Sequence, residues 1–219
     1  MRGSATLALR ARLTAFAAAL LAAGCSTAYY QALEAIGIEK RDILVDRVED
    51  ARDAQNDAKA QFQSALDQYR SVIGFDGGDL EEVYDRLNGS YERSEARAQA
   101  VSRRIGEVQR VADDLFEEWE DELGQYSDAG LRRRSERLLG ETRAQYQQVI
   151  GAMRRAEAAM SPVLTLFQDQ VLFLRHNLNA RAIGALETEL DAIEDATEAS
   201  IEEMERAIAE ASAFIESMA

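Results

Sequence analysis

Residues 80–126 read LEEVYDRLNGSYERSEARAQAVSRRIGEVQRVADDLFEEWEDELGQY. Leu80, Tyr84, Leu87, Tyr91, Ser94, Ala98, Val101, Ile105, Val108, Ala112, Leu115, Trp119, Glu122 and Tyr126 stand in this stretch at alternating steps of four and three. That spacing places one stripe on a helix, and a mostly apolar stripe must be covered by another element. Asn88-Gly89-Ser90 has the local chemistry of a turn, but the heptad phase passes through it, so a single helix is expected, with any kink there. At about 1.5 Å per residue such a helix approaches 70 Å. Asp79 is placed to cap its start.

The same spacing extends in both directions. Leu44, Val48, Ala51, Gln55, Ala58, Phe62, Ala65, Tyr69 and Val72 form an earlier stripe with Gln55 as its one polar member. Gly74-Phe75-Asp76-Gly77-Gly78 separates the two runs and reads as a tight turn. After a second turn at Ser127-Asp128-Ala129-Gly130, a third run carries Leu131, Leu138, Leu139, Tyr146, Val149, Met153, Ala156 and Met160. Pro162, the only proline, is expected to open a fourth helix reaching almost to the C-terminus. Its second half repeats regularly through Ile183, Leu186, Leu190, Ile193, Thr197, Ser200, Met204, Ala207, Ala211, Phe214 and Met218. No strand-like alternation is found. The expected fold is all-α, an elongated antiparallel bundle or coiled-coil rod of about four long helices.

Charge fits that pairing. Residues 131–155 hold seven arginines (Arg132, Arg133, Arg134, Arg137, Arg143, Arg154, Arg155), and residues 187–216 hold eleven acids against Arg206 alone. Antiparallel neighbours would set these stripes face to face. The functional alternative for the basic run is a patch for anionic lipid or phosphate.

The first 25 residues have a different character. Arg2, Arg10 and Arg12 precede an apolar run at 13–23, and no acid appears before Glu34. Eleven residues of helix cover about 16 Å, roughly half of a hydrocarbon core, so a secretory signal is expected rather than a membrane span. It ends Leu21-Ala22-Ala23-Gly24-Cys25, which resembles a bacterial lipobox, with Ala22 where Leu is commoner. Residues 1–24 are therefore expected to be cleaved, leaving 25–219 as one helical domain anchored through a lipid on Cys25. The alternative is an ordinary signal peptide with an incidental cysteine. Ser26 in this context implies sorting to the periplasmic side of the outer membrane rather than retention at the inner one. The whole chain carries 40 acids against 25 basic residues, a net charge of -15, and loss of three arginines would deepen it to -18.

Little in the remaining composition supports chemistry. One Cys and one His rule out a disulfide framework and a single-chain Cys/His zinc site, and the acidic balance argues against nucleic acid. There is no Gly-rich phosphate loop, no Gly-x-Ser-x-Gly and no His-Glu-x-x-His, so neither an enzyme nor a cofactor is expected. The acids of Glu117-Glu118-Trp119-Glu120-Asp121-Glu122 spread over more than one helical turn and lack the loop that gathers oxygens around Ca²⁺. Residues 162–180 are apolar on several sides and are expected to be buried. Asp169, Gln170, His176, Asn177 and Asn179 would then make a buried polar layer that fixes register or holds a small ligand. A di-metal centre is excluded there, because Phe173 stands where a Glu-x-x-His pair needs its carboxylate. The heptad phase also slips between Leu178 and Ile183.

Three blocks carry a family resemblance. Lys40-Arg41-Asp42-Ile43-Leu44-Val45-Asp46-Arg47-Val48-Glu49, Leu115-Phe116-Glu117-Glu118-Trp119-Glu120, and residues 171–180 resemble an uncharacterised family of Gram-negative proteins. That family is catalogued as a domain of unknown function and described as predicted lipoproteins. The resemblance implies an envelope location and a single domain, and brings no activity, ligand or catalytic residue. The functional expectation is a non-enzymatic, lipid-anchored scaffold or partner-binding rod, with an envelope protein or a second copy as partner. Alternatives are a self-assembling membrane coat and a small-ligand site near His176.

Overall fold

The computed structural model describes residues 39–73, 80–177 and 180–218. Packing divides the chain into two units, Met1–Ile43 and Leu44–Ala219. In the first, the Glu39 carbonyl accepts from the Asp42 and Ile43 amides at 3.0 and 3.2 Å, an ordinary opening turn of helix. The architecture that follows is that of the second unit.

The helices are α1 (Lys40–Ile73), α2 (Leu80–Leu123), α3 (Ala129–His176), α4 (Ala180–Glu187) and α5 (Leu190–Met218). No strand occurs among the described residues. In α1 the whole expected stripe, Gln55 included, is fully buried. In α2 the helix continues through Asn88-Gly89-Ser90, and its 44 residues correspond to about 66 Å. The stripe of α5 is buried from Ile193 to Met218.

Cross-helix pairs fix the arrangement. Arg97 meets Asp57 at 2.9 Å and Arg104 meets Asp50 at 3.4 Å, so α1 and α2 are antiparallel. Arg143 to Glu120 at 2.7 Å, and the Trp119 indole donating to Ser135 Oγ at 2.8 Å, set α2 against α3. Arg155 to Glu203 at 3.8 Å, and Ser217 Oγ donating to Gln145 at 3.2 Å, do the same for α3 and α5. Arg70 to Glu194 at 2.7 Å and Lys59 to Glu205 at 3.4 Å bring α5 back to α1 and close the bundle. Across its centre Tyr69 and Phe167 pack edge to face, 5.9 Å between centroids. Such exposed ion pairs each contribute less than about 1 kcal/mol, so apolar burial holds the bundle and the pairs mark its register.

Two expectations are corrected. Pro162 does not open a helix; it lies inside α3, which continues for 48 residues to His176. A proline in mid-helix forfeits one amide bond and crowds the carbonyl four residues back. The neighbours of α3 on both sides supply enough packing to carry the helix through. The expected fourth helix is instead divided at Asn177 and again at Thr188-Glu189. Asn177 ends α3 with its amide donating to the Leu174 carbonyl, and its side chain donates to the Phe173 carbonyl at 2.9 Å. Thr188 donates through both its amide and its hydroxyl to the Ala185 carbonyl, which ends α4. The first break lies beside the slip in heptad phase, whereas the second falls within the regular run from Ile183 to Met218. The turn expected at 74–78 and the cap at Asp79 lie outside the described residues.

Candidate functional site

The polar layer expected near His176 does not assemble. Asp169 and His176 are exposed, Asn177 is half-buried and acts as a helix cap, and Gln170 alone is buried. Asn179 lies outside the described residues, as does Cys25. The reason is helical phase. Val163, Phe167, Gln170, Val171 and Leu174 take the inward stripe, which turns Asp169, Leu172, Phe173 and His176 outward. Leu172 and Phe173 are 47% and 39% exposed, so this segment is not buried on most sides. Among the described residues, no group of three or more His, Cys, Asp or Glu is gathered to hold a metal ion.

The buried polar side chains lie elsewhere. Gln55, Thr197 and Ser200 are fully buried on the stripes of α1 and α5. The Gln55 amide and the hydroxyls of Thr197 and Ser200 have no hydrogen-bond partner among the described residues. Gln55 was visible in the sequence as the one polar member of its stripe. An open groove of about 510 Å³ also borders Gly106, Gln109, Asp113, Tyr146 and Ile150. It offers a single carboxylate and no nucleophile.

The basic run separates into two halves. Arg143 pairs with Glu120 and stacks over the Phe116 ring at 4.9 Å, Arg154 pairs with Glu157 and reaches Gln109, and Arg155 meets Glu203. Among the described residues of the run, Arg155 alone forms an ion pair with the acidic stripe of α5, so the expected face-to-face pairing is realised at one point. Arg132 pairs along its own helix with Glu136 at 3.0 Å. Arg133, Arg134 and Arg137 are exposed and make no ion pair with a described residue.

These three arginines stand at the turn between α2 and α3. Asp128 caps α3, its carboxylate accepting from the Leu131 amide at 2.7 Å, which sets a sharp start for the helix. Ser135 and Leu139 face α2 and are buried, and Phe116 packs on Tyr146 with centroids 5.4 Å apart. Burial pushes the Tyr146 phenol up to about 12, with Asp113 adding to the shift and Arg154 opposing it. Leu131 and Leu138, expected in the apolar face of α3, are instead 54% and 48% exposed, and Tyr126 beside them is 41% exposed. Leu131 and Leu138 precede Gln145 at heptad spacing, and Gln145 is where α3 meets Ser217 near the end of α5. They continue the α3–α5 seam past the last turn of α5.

The chain matches the family described as Protein of unknown function (DUF2959) over residues 29–218. It belongs to that family. Membership accounts for the three resembling sequence blocks and brings no activity with it. No curated protein matches the chain. No described helix is long and apolar enough to cross a membrane.

Proposed function

We propose that this member of the family is a non-enzymatic, lipid-anchored protein of the cell envelope that acts as a helical scaffold binding a partner. The observation that carries the reading is the sequence ending at Cys25. The only cysteine of the chain follows a basic and then apolar leader, at the position where a lipobox is acylated. The helical bundle supports it, since long packed helices present extended surface and fixed register. Ser26 supports sorting to the periplasmic side of the outer membrane. The exposure of Asp169 and His176 takes support away from a ligand layer there.

In-cell crosslinking, followed by affinity purification from membranes and mass spectrometry, tests this reading. Recovery of one defined envelope protein is the expected result. Recovery of the bait alone as multimers would replace the scaffold with a self-assembling coat. A mature protein carrying no acyl group on Cys25 would remove the anchor.

A further inference from the structure

Past the last turn of α5, one face of α3 continues without a cover. Leu131, Arg134, Leu138, Glu141, Gln145 and Gln148 recur at steps of three and four, which sets them in one line along the helix. Ser217, near the end of α5, is level with Gln145, so the first sixteen residues of α3 lie ahead of that helix, a length of about 24 Å. Over that length Leu131 and Leu138 are 54% and 48% exposed. Arg134 and Glu141 are exposed as well, and neither makes an ion pair with a described residue. At the far end of the line a groove of about 130 Å³ opens between α3 and α5, bordered by Gln145, Gln148, Val149, Phe214 and Ser217.

Charge and shape together select the occupant. Counted on both helices of the α2–α3 tip, residues 111–144 carry ten acids against five arginines, which disfavours an anionic ligand. The line itself is balanced, with Arg134 and Glu141 on either side of Leu138. Such a pattern is its own complement when read backwards. Laid antiparallel across a two-fold axis beside Leu138, each copy sets its Arg134 against Glu141 of the other, and the two Leu138 side chains meet. The same register brings Leu131 of each copy level with residue 144 of the other, at the mouth of the α3–α5 groove. Only this sense of pairing is open. In a parallel pair the α5 helices of both copies would need the same space from Gln145 onward. In the antiparallel pair the second α3 takes up the line of α5, which also runs antiparallel to α3.

We infer that the uncovered start of α3 is a self-docking surface, on which a second copy of this chain packs its own α3 antiparallel, Leu138 against Leu138 and Arg134 against Glu141. The inference goes beyond the scaffold reading and does not depend on a lipid at Cys25. Because the same patch serves both partners, the assembly closes at two and builds no coat. The contact is short. Sixteen residues from each helix bury on the order of 1,000 Å² in total at most, the lower bound of a stable interface, so the pair should dissociate at roughly tens of micromolar.

Sedimentation velocity tests the pair on the full chain carrying Cys25→Ser, which removes its one thiol. A monomer is expected below about 1 µM, and exchange between monomer and dimer above about 10 µM. Glu141→Arg sets like charges together twice in each pair and should raise the dissociation constant at least about tenfold. Arg134→Glu should do the same. Both positions are exposed, so neither reversal disturbs the core. Combined in one chain, the two substitutions rebuild both ion pairs and should return the constant to within about threefold of the parent. Disulfide formation reads the register. In the same Cys25→Ser chain, Leu138→Cys should give a crosslinked dimer at least about tenfold faster than Leu131→Cys, whose two copies stand about 20 Å apart along the helices. A chain that stays monomeric at about 100 µM would overturn the inference and leave the seam to a different protein. Equal crosslinking rates, or reversals that the double variant does not repair, would overturn it too. Larger multimers dispersed by the same reversals would make the contact an open, head-to-tail one and so defeat the closed pair.

Discussion

Tyr69 shows how one side chain can be both core and connector. Its ring is fully buried against Phe167, and its hydroxyl donates to the Leu186 carbonyl at 2.8 Å, tying α1 to the end of α4. That carbonyl also accepts from the Glu189 amide at 3.2 Å, so Tyr69→Phe leaves it partnered. The cost should be close to that of a single hydrogen bond, about 1 kcal/mol in a urea titration. Burial raises the Tyr69 phenol well above its ordinary range, Glu189 adding to the effect, and raises Tyr146 to about 12. An unfolded tyrosine ionises near pH 10, about the reference value, so the unfolded chain gives up these protons first. The stability these two phenols contribute is complete below about pH 10 and declines above it, Tyr146's share being lost as pH rises through about 12 and Tyr69's at higher pH still. The urea midpoint should fall across that window, and the Tyr69→Phe, Tyr146→Phe double variant should fall less steeply than the parent. Equal slopes would show that neither phenol is buried in solution as it is here.

At the level of elements, α3 departs most from what its sequence suggests. Pro162 sits in mid-helix with an exposed ring, and Thr165 donates its hydroxyl to the Ser161 carbonyl at 3.0 Å in the same turn. Pro162→Ala restores an amide donor and relieves the ring's crowding of the preceding turn, so it should stabilise the protein by about 1–3 kcal/mol. A higher melting temperature with unchanged helix content is the expected result; a lower one would mean that Pro162 itself is needed to seat α3 on its neighbours. Heptad spacing made the buried stripes of α1, α2 and α5 legible, because a helix packed along one side repeats its inward positions whatever its partner is. The same spacing could not show that Leu131 and Leu138 lie uncovered. Periodicity names the side of a helix that seeks a partner, but the length of that partner is set by turns elsewhere in the chain. The polar residues near His176 misled for a related reason. Apolar density over 162–180 resembled burial on all sides, while Leu172 and Phe173 stand outward. Only the contacts of α3 with α2 and α5 decide which of them does.

Across the whole bundle, the fully buried polar groups stand out more than the ion pairs. Surface pairs such as Arg97–Asp57 are solvated and could form in neighbouring registers at little cost. Gln55, Thr197 and Ser200 differ, because their polar atoms are sealed from solvent without a protein partner among the described residues. A polar residue on a coiled-coil stripe lowers stability and, in exchange, disfavours packings that would bury it less favourably still. Gln55 is the sharpest case, since every other member of its stripe is apolar and buried. Gln55→Leu keeps much of the side-chain volume and removes an amide whose desolvation is not repaid. The variant should therefore unfold at higher urea, a gain of about 1–3 kcal/mol with the slope unchanged. If Gln55 also selects the register, sedimentation velocity should find the parent in one state and the variant spread over several. A variant that is less stable would show that the amide is hydrogen-bonded in solution. A variant more stable and still in a single state would assign register to the turns and the length of the helices alone.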